Sequence, residues 1–223
     1  MKTITTISIL LLSTLMAFGQ ESKLSLGVAG SADFYNFDFS TVEGNPATFD
    51  TDLNYSIGAS VRYQLDDKFG LNLKVLYATR DFTLNHNFRF IEPNDPVLSE
   101  LPRSTSAELS YLDLPISVNY GFLEKSNFDF FLSAGLAPGF LIADDESTTF
   151  EDDSQEDTEH LTFDINSFLI SGFLGAGVKY HLLDKLAIVL EPQYRYFFNR
   201  VSEQNEDGTP QLFSVAFGAE IKL

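Results

Sequence analysis

The sequence predicts an all-β protein: an eight-stranded antiparallel up-and-down transmembrane β-barrel with projecting external strands. Three observations predict it. A secretion signal opens the chain. Eight segments of alternating apolar and polar residues follow. The connections between them are alternately very short and long, which puts the tight turns on one rim of a closed sheet and the long loops on the other. Barrels of outer membranes are built this way.

The first element is the signal. Lys2 supplies the positive start, and Ile7 to Leu12 with Leu15 to Phe18 supply the apolar run. Ala17-Phe18-Gly19 offers small residues at the cleavage positions, so 1–19 read as a signal peptide and 20–223 as the barrel domain. The apolar run is shorter than the ~20 residues of a spanning helix.

Strands are expected at 23–39, 53–65, 69–90, 105–122, 128–142, 161–182, 186–199 and 211–223, where aromatic and β-branched residues recur with period two. Asp66-Asp67-Lys68, Glu124-Lys125-Ser126-Asn127 and Leu183-Asp184-Lys185 form the tight turns. The long connections are 40–52, 91–104, 143–160 and 200–210, with Asp207-Gly208 as a turn signal in the last. A tilted membrane strand needs ~9–11 residues. The third, fourth and sixth segments exceed that, so their outer parts, including Thr83 to Phe90 and Leu161 to Asn166, should project as a sheet above the membrane.

Alternation leaves open which face points outward. In the seventh segment Leu186, Ile188, Leu190, Pro192, Tyr194, Tyr196 and Phe198 oppose Ala187, Val189, Glu191, Gln193, Arg195 and Asn199. A soluble lipocalin-type barrel would put the apolar face inside. The opposite face mixes long charged residues with Gly58, Gly135, Gly175 and Gly218, which suits the crowded lumen of an eight-stranded barrel. The apolar face carries Phe and Tyr toward its ends, as interfacial girdles require. Both features select apolar-out.

Composition excludes several functions. The chain has no cysteine, which removes disulfides, zinc–thiolate sites, a cysteine nucleophile and a lipoprotein anchor. Acidic residues outnumber basic ones 32 to 14, which disfavours nucleic acid as a partner. Many of the acids fall in 143–160, among them Asp144, Asp145, Glu146, Asp152, Asp153, Glu156 and Asp157. This stretch reads as a solvated loop extended by like-charge repulsion. Divalent cations at that loop, bridging to outer-membrane lipid, are the alternative, although the spacing and central Gly of an EF-hand are missing.

Tyr111-Leu112-Asp113-Leu114-Pro115-Ile116 is the most distinctive string. Proline within a strand forfeits a ladder hydrogen bond, so a bulge is expected there, with Asp113 and Pro115 facing the lumen. The string resembles the Leu-acidic-x-Pro motif in the fourth strand of the PorT-like outer-membrane β-barrel family of Bacteroidota. The signal ending in Phe18-Gly19-Gln20, the Gly-aromatic strands and the apolar-x-apolar terminus are similar too. Asp113 stands where Glu is commoner in that family, and Leu223 where a terminal Phe is frequent. The resemblance implies an integral outer-membrane barrel, linked in some members to protein secretion, and implies no enzyme activity.

The candidate site is a lumenal polar network of Arg62, Lys74, Arg80, Asp113, Lys179, Glu191, Arg195, Glu220 and Lys222. Eight strands leave an interior just wide enough for side chains, which favours a plug of paired charges over an ion path. Asp113 is expected to pair with Arg80 or Arg195, and Glu191 with Lys222 or Lys74. No catalytic, cofactor or metal residues are expected. His86, His160 and His181 are far apart in sequence, and a Ser–His hydrolase would need Ser104 or Ser106 at bonding distance of a rim histidine. Gly172, Gly175 and Gly177 lie within a strand and lack the helix of a nucleotide loop. The leading expectation is a non-enzymatic outer-membrane barrel whose external loops and strand edges contact other envelope or secreted proteins. A PorT-type secretion accessory and a narrow porin-like channel are the alternatives.

Overall fold

Period-two burial runs through the whole chain and closes it into a ring. A computed structural model describes residues 23–36, 47–51, 53–86, 102–158, 165–200 and 210–223. Among these, the strands in order are β1 (Leu24–Asn36), β2 (Ala47–Thr51), β3 (Asn54–Gln64), β4 (Phe69–Thr79), β5 (Phe82–His86) and β6 (Pro102–Asp113). Then follow β7 (Ile116–Lys125), β8 (Phe128–Phe150), β9 (Gln155–Thr158), β10 (Phe168–His181), β11 (Leu186–Phe197) and β12 (Gln211–Lys222). The signal peptide and its cleavage site lie outside the described residues.

Eight barrel strands pair antiparallel around the ring β1, β3, β4, β6 with β7, β8, β10, β11 and β12, which closes on β1. The stagger can be read from the pairing. Stepping across partners from Leu24 leads through Tyr63, Leu71, Val118, Ala134, Leu174, Tyr194 and Phe213 back to β1 at Phe34, ten residues further along. A closed sheet with such a stagger must tilt its strands, which sets barrel width and closure together.

The apolar face is outside. In β11, Ile188, Leu190, Tyr194 and Tyr196 are exposed, while Ala187, Val189, Glu191, Gln193 and Arg195 are buried. The same holds on β3 for Tyr55, Ile57, Val61 and Tyr63 against Ser56, Ser60 and Arg62. A water-soluble barrel would not expose so continuous an apolar band. Aromatic pairs mark both ends of the band. Phe69 and Tyr120 (5.1 Å) and Phe128 and Tyr180 (4.7 Å) lie near the tight turns. Phe140 and Phe168 (5.2 Å) lie near the other rim.

The tight turns follow their residue chemistry. Asp66 Oδ1 accepts the backbone N–H groups of Lys68 and Phe69, each at 2.8 Å, in the manner of an Asx turn.

Four local expectations change. First, the segment 69–90 is two strands. Asn54 breaks it: its amide donates to the Asp81 carbonyl at 3.1 Å and accepts the Asp81 N–H at 2.7 Å, and β5 turns to pair with β2 and β6. Residues 87–90 lie outside the described ones. Second, Pro115 marks no bulge. Leu73 pairs with Ile116 and Leu76 with Asp113, so the register is unbroken across it. The Pro115 carbonyl still accepts the Lys74 N–H at 2.9 Å, and the loss is confined to one donor. Register shifts fall instead at Ser110/Tyr111 and Gly121/Leu123. Third, much of 143–160 is strand, not loop: β8 runs to Phe150 and β9 pairs back onto it. Ser147, Thr148 and Thr149 suit a strand, and the ladder to β6 forms although Glu108 lies directly opposite Asp145. Fourth, 47–51 forms β2 inside an expected connection. Of 161–166, only 165 and 166 are described, and they precede β10.

The result is a sheet β2-β5-β6-β8-β9 continuous with the barrel wall and extending past its outer aromatic band.

Candidate functional site in the barrel lumen

The inward faces of the eight barrel strands stack polar groups in layers. Nearest the tight turns, Glu220 takes Arg62 Nη2 at 2.9 Å and Lys179 Nζ at 3.1 Å. The Arg62 guanidinium lies 5.3 Å from the Phe131 ring centre. In the next layer Lys74 reaches Glu191 at 3.6 Å, and the Ser133 hydroxyl donates to the same carboxylate. Above it, Ser31 and Ser56 share a 2.6 Å hydrogen bond, and Ser214 donates to Asp33 at 2.6 Å.

The fourth layer is the most enclosed. Arg80 Nη2 donates to both Asp113 oxygens, at 2.7 and 2.9 Å, and Arg195 Nη1 donates to Asp113 Oδ2 at 2.8 Å. Arg80 Nε donates to the Tyr35 hydroxyl at 2.8 Å, and its guanidinium sits 4.0 Å from the Tyr111 ring centre. Arg80 is 1 % exposed and Asp113 2 %. Local structure dictates this geometry. The Asn54 clasp on Asp81 ends β4, and the Asp81 carboxylate accepts the Leu109 N–H at 3.1 Å. Arg80 is left at the break with its side chain inside. Opposite Asp113 stands Gly139. A β-carbon there would meet Asp113 Oδ1, so glycine makes room for the carboxylate.

Beyond this layer the lumen becomes apolar. Tyr35, Phe82, Ala107, Leu109, Tyr111, Leu169, Phe197 and Leu212 form a buried cluster toward the long-connection rim, with Leu141 and Ile165 against it. Sequence reasoning missed this plug, because it expected polar side chains to fill the lumen. The signal was present: Phe34-Tyr35, Phe168-Leu169-Ile170, Tyr196-Phe197-Phe198 and Leu212-Phe213 are runs of adjacent apolar residues, which a strand with one apolar face does not need.

Charges removed from water must be paired or hydrogen-bonded to be tolerated: Arg62, Lys74, Arg80, Lys179 and Arg195 each meet a carboxylate, and Asp33 accepts the Ser214 hydroxyl. A cavity of about 20 Å³ between the first two layers, lined by Arg62, Asn72, Lys74, Glu191 and Glu220, has room for about one water. The lumen widens at the tight-turn rim into a mouth of about 890 Å³ lined by Lys23, Gln64, Asp129, Lys179, His181 and Lys222 among others.

Eight of the nine expected network residues point into this lumen, and Asp113 engages both Arg80 and Arg195. Lys222 is the exception. The barrel ends there, so its side chain is exposed at the open mouth and Glu191 is served by Lys74. The two described histidines, His86 and His181, have different partners. His181 pairs with Asp129 at 2.6 Å at the mouth, and His160 lies outside the described residues. His86 Nε2 bonds the Thr105 hydroxyl at 3.1 Å, whereas Ser104 and Ser106 pair in register with Asn85 and Thr83. Burial holds the His86 imidazole below its usual range. No three or more acidic or histidine side chains come together as metal ligands among the described residues.

The ring, the outward apolar band and the paired lumen together define a membrane barrel. Residues 18–202 match the family model of the outer membrane protein beta-barrel domain. The chain belongs to that family. It is an outer-membrane β-barrel, and the outer membrane is where it resides. The family match stops short of β12, the strand that closes the ring on β1. Among solved structures, a major outer membrane protein from Thermus thermophilus is 14 % identical, covers 89 % of this chain and 98 % of its own, and superposes with a TM-score of 0.50. Neisserial surface protein A is 14 % identical over 91 % of this chain and 98 % of its own, with a TM-score of 0.47. OprG from Pseudomonas aeruginosa is 15 % identical over 92 % and 99 %, with a TM-score of 0.45. These likenesses concern the fold. No curated protein matches the chain in sequence.

Proposed function

We propose that this outer-membrane barrel is a non-enzymatic surface protein whose working part is the external sheet β2-β5-β6-β8-β9. One observation carries the reading: among the described residues the wall continues past the lipid band as the sheet β2-β5-β6-β8-β9, while the lumen beneath is filled by ion pairs and an apolar plug. A filled lumen favours a support over a conduit. Exposed strand edges favour contact with other proteins by strand addition. The likeness to PorT-like barrels suggests a second reading, an accessory of protein secretion, for which the wide mouth at the tight-turn rim offers a surface facing the periplasm.

Photo-cross-linking in intact cells tests both. A reactive residue at Asn85 in β5 should yield adducts with envelope or secreted proteins, and one at Asp67 should not. Adducts from Asp67 alone would move the working surface to the periplasmic mouth. Purified barrel in liposomes should conduct no more than bare lipid; steady single-channel currents would replace both readings with the porin-like one.

A further inference from the structure

We infer that β9 is a docking strand for an extended, lysine- or arginine-rich segment of a partner protein. This rests on the reading that the external sheet is the working surface, and it names where on the sheet and with what chemistry.

The backbone defines the site. At the β8–β9 turn the Phe150 N–H donates to the Ser154 carbonyl at 2.9 Å, and the Asp153 N–H donates to the Phe150 carbonyl at 3.1 Å. Asp153 takes a φ of 63°, which fits a three-residue hairpin loop closing with a left-handed residue. The ladder then runs Thr149 to Gln155, Thr148 to Glu156, Ser147 to Asp157 and Glu146 to Thr158. Bonded and non-bonded pairs alternate in an antiparallel ladder. Counting from Phe150 and Ser154, Glu156 and Thr158 direct their backbone groups at β8. Gln155 and Asp157 direct theirs away from it. Among the described residues nothing pairs with that outer side. Alternate N–H and C=O groups facing outward are the template for strand addition.

Charge selects the occupant. Asp157 accepts from Ser147 at 2.9 Å on one face, and exposed Glu156 lies on the other. The turn adds exposed Glu151 and Asp152, and the paired strand adds exposed Asp145. Arg103 is the single basic residue of β6, β8, β9 and the intervening turn, and it is spent on Asp153 at 2.7 Å. Like charges placed opposite each other across strands oppose pairing. A second copy of this edge is therefore disfavoured, as is a polyanion. A strand carrying alternate cations meets both the backbone groups and the carboxylates.

The test uses the whole mature barrel in lipid nanodiscs and a short peptide alternating Lys and Val, with anisotropy as readout. Gln155→Pro deletes one outward N–H without touching the β8 ladder, and Gln155→Ala removes the same side chain while keeping that N–H. The proline variant should weaken binding at least about tenfold, equivalent to ~1.4 kcal/mol, and the alanine variant should bind nearly as the parent does. A peptide with Gln in place of Lys should bind at least about tenfold more weakly as well. Equal binding by Gln155→Pro would reduce the contact to diffuse charge and overturn the edge assignment. Equal binding by the Gln peptide would overturn the charge assignment. If the peptide fails entirely while cross-links on cells still map to Asn85, the edge proposal falls and the surface reading stands. If those cross-links are missing too, both fall.

Discussion

Neutralising Asp113 is the sharpest probe of how the lumen is held together. The carboxylate is 2 % exposed and accepts three charge-assisted hydrogen bonds, two from Arg80 and one from Arg195. Asp113→Asn keeps the shape but leaves two enclosed guanidinium groups without an anion. Breaking a buried pair by removing one partner costs ~3–5 kcal/mol, and the second stranded arginine puts this case at the upper end. The structure also ranks the partners. Arg80 makes two of the three bonds and its side chain is 1 % exposed, against one bond and 8 % for Arg195. A double-mutant cycle with Arg80→Gln should therefore show larger coupling than one with Arg195→Gln, both exceeding ~1 kcal/mol. Urea-driven reversible folding into lipid vesicles measures all the species. A cost below ~1 kcal/mol for Asp113→Asn, or no coupling to either arginine, would refute the paired-charge account. Unchanged stability with a new ion conductance would make the layer a gate.

Three further outcomes follow from the packing. Tyr63→Arg, Leu190→Arg and Val215→Arg should each destabilise the barrel in vesicles, by ~2–4 kcal/mol for Val215 at mid-strand and less for Tyr63 near the tight-turn girdle; neutrality of all three would contradict the apolar-out face. Gly139→Ala should cost ~1–3 kcal/mol, because its β-carbon lands on Asp113 Oδ1 and within 3.3 Å of Arg80 Nη2, whereas Gly70→Ala, whose nearest neighbour would be 3.5 Å away, should be nearly silent in the same titration. The turn carboxylate of Asp66 is held below the usual range by backbone N–H bonds from Phe69 and Lys68. A lowered folded pKa stabilises above the unfolded value and loses that contribution as pH falls through the folded one, so Asp66→Asn should flatten the acid limb of barrel stability; an unaltered limb would show that the turn bonds are not coupled to folding.

The barrel wall was legible because barrel strands write their two environments with period two, and the mixture of glycine and long charged residues on one face decided which side was the lumen. Leu190 and Val215 alternate with Glu191 and Ser214, and that pattern repeated eight times with one-sided long loops is the pattern of an up-and-down barrel. The ion pairs were half legible. Inward register put Asp113, Arg80 and Arg195 in one lumen, but the sequence separation between them, up to 82 residues, hides which carboxylate meets which cation. That choice depends on stagger, and stagger is set by ring closure rather than by any local residue. The apolar plug and the acidic hairpin were not legible for a different reason. Above the membrane the solvent changes from lipid to water, and the rule for the outward face changes with it. Phe197 and Leu212 stand on the inward face that lower down carries Arg195 and Ser214, so alternation gives no sign that the lumen turns apolar there, and Glu146 reads as loop although β6 and β9 flank it in a sheet. The change falls near Asn54 and Asp81, where a side-chain clasp ends one strand and starts another. The same clasp leaves Arg80 inside the lumen, so the break at which β5 starts and the ion pair that seals the barrel are one structural event. Removing the clasp should loosen both ends together.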